Sequence, residues 1–327
     1  MPVTVRSFAK INLGLRIGAL RADGFHELRT VYQTIALHDV IRVSVGRGTG
    51  IEIRCADPRV PIDHRNTCYR VVEAALAALN VQARVKIEIE KRLPVQGGLG
   101  GASANAVATV LGLERALKKQ IPGPEKLRIA AEVGSDLPLF LVGGTILGVG
   151  RGEDVYPLSD LPATPCVVAT PEIGVSTPKA FADWDLLESS ADVSPGSKLT
   201  GLSPSDRMIE FSRAVSAWLS GTSGVPGSRG RGRAETLLLD LVRTGIENDF
   251  EQVVFPQHPE LREVKRALER EGAFFASLSG SGSAIYGLFR TRTAAARAAA
   301  RLTKAGTPAT ATSTLTRRQY WHRIFDC

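Results

Sequence analysis

Apolar and polar residues alternate along the opening of the chain. Val3, Val5, Ile11, Leu13, Leu15 and Ile17 share one parity, and Arg6, Lys10, Asn12 and Arg16 share the other. Period two predicts a strand and places Lys10 and Asn12 together on the face opposite the apolar one. The turn signal Ala22-Asp23-Gly24 puts Phe25 and His26 just beyond a hairpin tip. More strand is expected over Val31 to Val45, and Val85, Ile87 and Ile89 alternate with charged residues in a further strand. Helical spacing is expected from about Cys68 to Leu79, after Asn66. It returns in Ala106, Val107, Val110, Leu111, Leu113 and Leu117, and again from Pro124 and Glu125 to near Gly134. Leu137 to Gly150 is apolar, short and glycine-rich, which reads as a buried strand and turn. A second region opens at Val167 to Ala169. It carries expected strands near Ala273 to Ser277 and Ala284 to Phe289, with helices over Glu260 to Glu271 and Ala294 to Lys304. Strands and helices mix in both halves, so the fold class is α+β in two layers. Ser189 to Arg233 is rich in Ser, Gly and Pro around a helical patch at Met208 to Leu219, and it reads as two mobile linkers flanking one helix.

Composition narrows the function. The 327 residues are 43% hydrophobic and 23% charged, as in a water-soluble globular protein of one large or two ordinary domains. No run of about 18 apolar residues occurs, and the N-terminus lacks the order of a signal peptide. Cys55, Cys68, Cys166 and Cys327 lack metal-ligand spacing, which favours free thiols in a reducing cytoplasm. The net charge of +8 favours anionic partners. Its basic residues are dispersed, however, and the one cluster, Arg229, Arg231 and Arg233, reads as a solvated loop. Aromatic residues make up 6% and sit mostly in apolar patterns, which argues against a nucleic-acid surface.

The candidate chemistry centres on Pro94-Val95-Gln96-Gly97-Gly98-Leu99-Gly100-Gly101-Ala102-Ser103-Ala104. This glycine run lies between a strand pattern and a helix pattern, with Ser103 at the expected helix start. A glycine loop opening a helix aims bare N–H groups and the positive helix end at one point, where a phosphate chain can bind. A Walker loop is excluded because no Gly-Lys-Ser/Thr closes it, and the spacing does not fit a dinucleotide fingerprint. No His-Arg-Asp or Asp-Phe-Gly occurs, which argues against a eukaryotic-type protein kinase. Gly134-Ser135-Asp136-Leu137-Pro138 places a carboxylate where a helix stops. A second glycine cluster, Ser279-Gly280-Ser281-Gly282-Ser283, fits either a hairpin turn or a backbone nest closing over phosphates.

Three separated motifs resemble one superfamily. The loop from Pro94 to Ala104 is similar to the Pro-x-x-x-Gly-Leu-Gly-x-x-Ser/Ala motif of the GHMP kinases, and the opening strand and Ser279 to Ser283 resemble its other two motifs. Within it, Ala9 to Leu15, Arg21 to Leu28, Gly134 to Pro138 and Glu247 to Glu251 closely resemble the branch acting on cytidine diphosphate methylerythritol. The resemblance covers nearly the whole chain outside Ser189 to Arg233. It implies a two-domain GHMP fold, with a ribosomal-S5-like domain over 1–160 and a ferredoxin-like domain over 161–327. The insertion around 189–233 is expected to be solvent-exposed and dispensable for catalysis.

The activity implied is ATP-dependent phosphorylation of the 2-hydroxyl of 4-diphosphocytidyl-2-C-methyl-D-erythritol, in the methylerythritol phosphate route to isoprenoids. ATP and Mg²⁺ are the implied cofactors, with Ser103 a candidate metal contact and the ligand set unassigned. Asp136 matches the catalytic aspartate and Lys10 the catalytic lysine. Asn12, Phe25, His26 and Phe181 match substrate contacts, with Trp184 near enough to Phe181 to weaken that match. Asn66 and Lys91 are adenosine-side candidates beside the glycine loop. Five positions depart from the common pattern: Phe25 stands where many members have tyrosine, Gln96 replaces a common glycine, Ala102 and Ala104 stand for Gly or Ser, and Ser135 replaces a common alanine. The expected partner is a small-molecule substrate, without nucleic acid or membrane, for a monomer or weak homodimer. Rival readings are another GHMP kinase of homoserine or mevalonate type, a basic nucleic-acid-binding protein, and a nucleotide sensor without catalysis.

Overall fold

The alternation of the first strand is realised as β1 (Val3–Leu20), which turns at residues 21–25 and runs antiparallel to β2 (His26–Gly46). Three register shifts, at Phe8/Lys10, Asn12/Gly14 and Ile17/Leu20, bend this long hairpin. The computed structural model describes residues 1–191, 204–222 and 246–325. Strand β2 is the hub of a six-stranded mixed sheet. Its far half pairs with β4 (Arg84–Glu90), which pairs in parallel with β3 (Gly50–Cys55). Its near half pairs with β5 (Thr145–Val149), followed by β6 (Asp154–Pro157).

Helices α1 (Thr67–Ala78), α2 (Gly101–Leu117) and α3 (Gly123–Val133) accompany this sheet, and α1 and α2 bury apolar residues in its core. A short α4 (Leu137–Val142) corrects the strand expected from Leu137. Pro138 sits in its first turn, where a missing N–H costs nothing, and the turn buries Leu137, Leu139 and Phe140.

The second half builds a four-stranded antiparallel sheet in the order β10-β7-β9-β8: Ala309–Ser313, Pro165–Ala169, Ile285–Leu288 and Phe275–Leu278. Helices α8 (Pro259–Arg270) and α9 (Arg292–Lys304) pack on it, as in the ferredoxin-like pattern. Three further helices were not expected from the sequence: α5 (Thr177–Ala191), α7 (Glu251–Gln257) and α10 (Arg317–Arg323). The last of these, α10, returns to the first domain. There Tyr320 donates to the Phe140 carbonyl at 2.6 Å, and Ile324 enters the first core. The fold is the two-domain α+β arrangement expected from the sequence, although this last helix crosses the division at 160.

Helix α6 (Pro204–Thr222) corrects the expectation of an exposed insertion. Met208, Phe211, Val215 and Trp218 are buried, and the last three join Ile11, Leu13 and Ile246 in a core between the halves. An amphipathic face seated on a strand outweighs the Ser/Gly bias of its flanks. The flanks at 192–203 and 223–233 lie outside the described residues. Among the described residues no helix is long and apolar enough to cross a membrane.

Candidate active site

Two clefts share one wall. The first, of about 310 Å³, is lined by Arg59, Asn66, Lys91, Asn105 and the glycine loop from Pro94 to Ser103. The second, of about 720 Å³, is lined by Lys10, Asn12, Phe25, His26, Tyr32, Asp136, Arg151, Phe181, Asp185 and Gly280, among others. Gly98, Gly100 and Ser103 belong to both.

Glycine shapes the wall because two backbones meet there. A Cβ on Gly98 would lie 2.0 Å from the Ser279 carbonyl oxygen, and its φ of +78° favours glycine in any case. A Cβ on Gly282 would lie 2.3 Å from the Gly98 nitrogen. Ser279 Oγ donates to the Gly98 carbonyl at 2.9 Å, and the Ala284 N–H donates to the Gly97 carbonyl at 3.1 Å. The second glycine cluster therefore interlocks with the first. Helix α2 starts at Gly101, two residues before the expected Ser103, and Gly100 occupies its N-cap position. Ala104 is consequently buried in the first core and does not line either cleft, which removes it from the candidate contacts.

Lys10 and Asn12 lie side by side on β1, as the alternation predicts, and both are buried. Lys10 Nζ donates to Asn12 Oδ1 at 2.7 Å and stands 3.5 Å from Asp136 Oδ2. Asn12 is fixed in turn by donating to Thr30 Oγ1 at 2.8 Å, and Thr30 donates to the Gly14 carbonyl. Asp136 occupies the N-cap position of α4 but makes no capping bond. Its Oδ1 instead accepts from the Tyr32 hydroxyl at 3.1 Å. Burial, with Asp136 beside it, holds the Tyr32 hydroxyl well above the usual tyrosine range, so it stays a donor. The cluster thus gathers a cation, a part-exposed carboxylate and a phenol at the edge of the phosphate-sized wall.

The aromatic candidates also reach the second cleft. Phe181 on α5 stacks on His26, with centroids 5.1 Å apart and planes 5° from parallel. His26 is held by the Gly18 carbonyl at 3.1 Å from Nδ1 and by Asp185 at 3.2 Å from Nε2. Phe25 is 50% exposed, with the Arg151 guanidinium 4.9 Å from its ring centroid. Trp184 is fully buried in the second core beneath Arg207, so it is not the aromatic that faces the cleft.

Asn66 and Lys91 line the first cleft, but their polar atoms are already engaged. Asn66 caps α1 by accepting from the Cys68 N–H at 2.9 Å and donates to the Pro61 carbonyl at 2.6 Å. Lys91 donates to Asp39 at 2.8 Å and to the Leu93 carbonyl at 2.6 Å. Sequence reasoning missed Asp39, Tyr32, Asn105 and Asp185. Asp39 is fully buried and accepts also from the Arg92 and Leu93 N–H groups, both at 2.7 Å, and from Asn105 Nδ2 at 3.0 Å. It ties the exit of β4 to α2 and so frames the glycine loop.

Comparison with known proteins gives a consistent family. The sequence profile of the GHMP kinases N terminal domain matches residues 66–144, and that of the GHMP kinases C terminal domain matches 234–307. The 4-diphosphocytidyl-2-C-methyl-D-erythritol kinase of Solibacter usitatus (strain Ellin6076) is 38% identical over 295 residues, covering 90% of this chain and 83% of its own. That of Rhodococcus jostii (strain RHA1) is 34% identical over 306 residues, covering 93% and 89%. A crystal structure of 4-(cytidine 5'-diphospho)-2C-methyl-D-erythritol kinase superposes with a TM-score of 0.69 at 29% identity, covering 95% of this chain and 98% of that one. A homoserine kinase from Cytophaga hutchinsonii superposes at 0.68 with 20% identity, covering 96% and 95%, which shows the shared fold alone.

Proposed function

The chain belongs to the GHMP kinases and, within them, to the 4-diphosphocytidyl-2-C-methyl-D-erythritol kinase family, and from that premise we propose how its own residues carry the reaction. It is an ATP-dependent phosphotransferase, and it phosphorylates the 2-hydroxyl of the cytidylyl sugar alcohol in isoprenoid precursor synthesis. The observation that carries the assignment of roles is the pairing of Lys10 with Asp136 in the second cleft, which shares Gly98, Gly100 and Ser103 with the first.

The nucleotide enters the 310 Å³ cleft with its phosphates against the glycine loop, where N–H groups and the start of α2 favour negative charge. The acceptor alcohol lies in the 720 Å³ cleft. Asp136 accepts the hydroxyl proton while the oxygen attacks the terminal phosphorus and the bond to the leaving ADP oxygen breaks. Tyr32 orients the carboxylate. Lys10, held by Asn12, presents its charge to the phosphoryl oxygens. Phe181 and Phe25 offer ring faces to the cytosine, and His26, held through both nitrogens by Gly18 and Asp185, stacks on Phe181 and positions it.

Mg²⁺ suits the donor set: the Ser103 hydroxyl and the Asp136 carboxylate are hard oxygen donors. Among the described residues no three His, Cys, Asp or Glu side chains stand together as a metal site. When bound, Mg²⁺ supplies neutralisation of phosphate charge. Free Cys55, Cys68 and Cys166 suit the cytoplasm, where we place the protein.

The test is mass detection of product after incubation with ATP, Mg²⁺ and 4-diphosphocytidyl-2-C-methyl-D-erythritol, with homoserine and mevalonate in parallel. One phosphoryl group added to the cytidylyl compound alone is expected. Turnover of homoserine or mevalonate in its place would overturn the substrate.

A further inference from the structure

The β1–β2 hairpin carries, toward the start of β1 and sharing no residue with either kinase cleft, a groove that the reaction leaves unused. Parity separates the two sides. On β2, Asp39 turns to Lys91 beside the nucleotide-side cleft, while its neighbours His38, Val40 and Arg42 turn to the opposite side, where Arg6, Phe8 and Arg92 meet them. There they line a concavity of about 460 Å³, joined by Arg323 from the end of α10. This lies within the roughly 300–1,000 Å³ of small-molecule sites. Its floor is apolar, with Phe8 and Val40 buried. Its walls carry four guanidinium groups. One carboxylate, Glu90, is shared between Arg42 and Arg92, and Arg6 donates to the Arg323 carbonyl at 3.1 Å.

His38 fits this cationic setting. Arg92 Nη1 stands 3.4 Å from its Nε2, and its Nδ1 lies 2.8 Å from the Ala36 carbonyl. A guanidinium can only donate, so Nε2 is the acceptor and Nδ1 carries the proton, as in neutral imidazole. Burial first, then Arg92 and Arg6, pushes this imidazole below its usual range.

Guanidinium forks match phosphate oxygens, and a concave site with an apolar floor suits a compact ligand better than an extended strand. We propose that this groove is a second anion site that takes a small molecule bearing a di- or triphosphate. The proposal stands apart from the kinase reading, because it uses no residue of either cleft.

The experiment is calorimetric titration of inorganic pyrophosphate into the full chain saturated with a non-hydrolysable ATP analogue. One further equivalent should bind and weaken as salt rises. Replacing Arg42→Ala and Arg323→Ala together should weaken it by about tenfold or more. Kinase turnover of this variant should stay at the wild-type level, which separates a lost site from a lost fold. If the double variant is unstable, Arg323→Glu alone should give the same weakening. Binding should also move the ring resonances of His38 toward those of imidazolium. No binding to the saturated protein, binding unchanged in the variants, or tighter capture of a single-stranded oligonucleotide by the same arginines would overturn the proposal.

Discussion

The two clefts share a wall and differ in how their polar groups are used. On the nucleotide side, Lys91 and Asp39 are bound to each other, and Asn66 to its own loop and helix, before any ligand arrives. On the acceptor side, Asp136 makes no cap, keeps a third of its side chain exposed and stands a loose 3.5 Å from Lys10. The first arrangement makes a rigid frame, and the second leaves charge available to a reacting group. A frame should lose binding and stability when cut, whereas an open pair should lose turnover.

The largest effect expected from that contrast is at Asp136. Asp136→Asn should lower kcat by about 10²-fold or more while ATP affinity stays near wild type. Near-normal turnover in a steady-state assay would remove the proton-accepting role. Asp39→Asn should do the reverse. It leaves Lys91 without its charge partner in a buried place, at a cost of about 3 kcal/mol in stability. It should raise the KM for ATP by about tenfold with kcat within about threefold, as read from a melting curve and ATP titration. A fall in kcat with unchanged KM would place Asp39 in the chemistry and erase the contrast.

Phe181→Ala should raise the KM for the cytidylyl substrate by about tenfold, since stacking on a base contributes about 1–3 kcal/mol. Equal KM values would show that the His26–Phe181 stack is a packing feature. The smallest effect concerns Gln96, which holds a φ of +62°. Gln96→Gly should relieve that strain, offset in part by the freedom glycine gains when unfolded, and raise Tm by about 1–2 °C. Thermal melts would detect it, and a lower Tm would mean that the Gln96 side chain supports the loop.

What could be read from the chain follows the same division. Lys10, Asn12, the glycine loop and Asp136 lie in short segments whose spacing carries the signal. Asp39 and Tyr32 do not, because their roles depend on pairings across the sheet. Counted from the hairpin turn, Asn12 stands opposite Tyr32 only after register shifts at Ile17/Leu20 and Asn12/Gly14, which no count along the sequence supplies. Asp185 depends on α5, a helix not expected from the sequence, which brings it to His26. The burial of Trp218 was hidden by composition, since Ser and Gly on either side outweighed the apolar spacing within the helix.

The interlock of Gly98 with Ser279 and Gly282 has a bearing on how the protein is made. The hydrogen bond from Ser279 to Gly98 joins residues 181 positions apart. A ribosome therefore delivers the first glycine loop long before the segment that braces it. A nascent chain released near residue 160 lacks that brace, and it also lacks Tyr320 and Ile324, which complete the first core. Competence to handle ATP would then be acquired late in synthesis, so that truncated chains do not spend nucleotide without product.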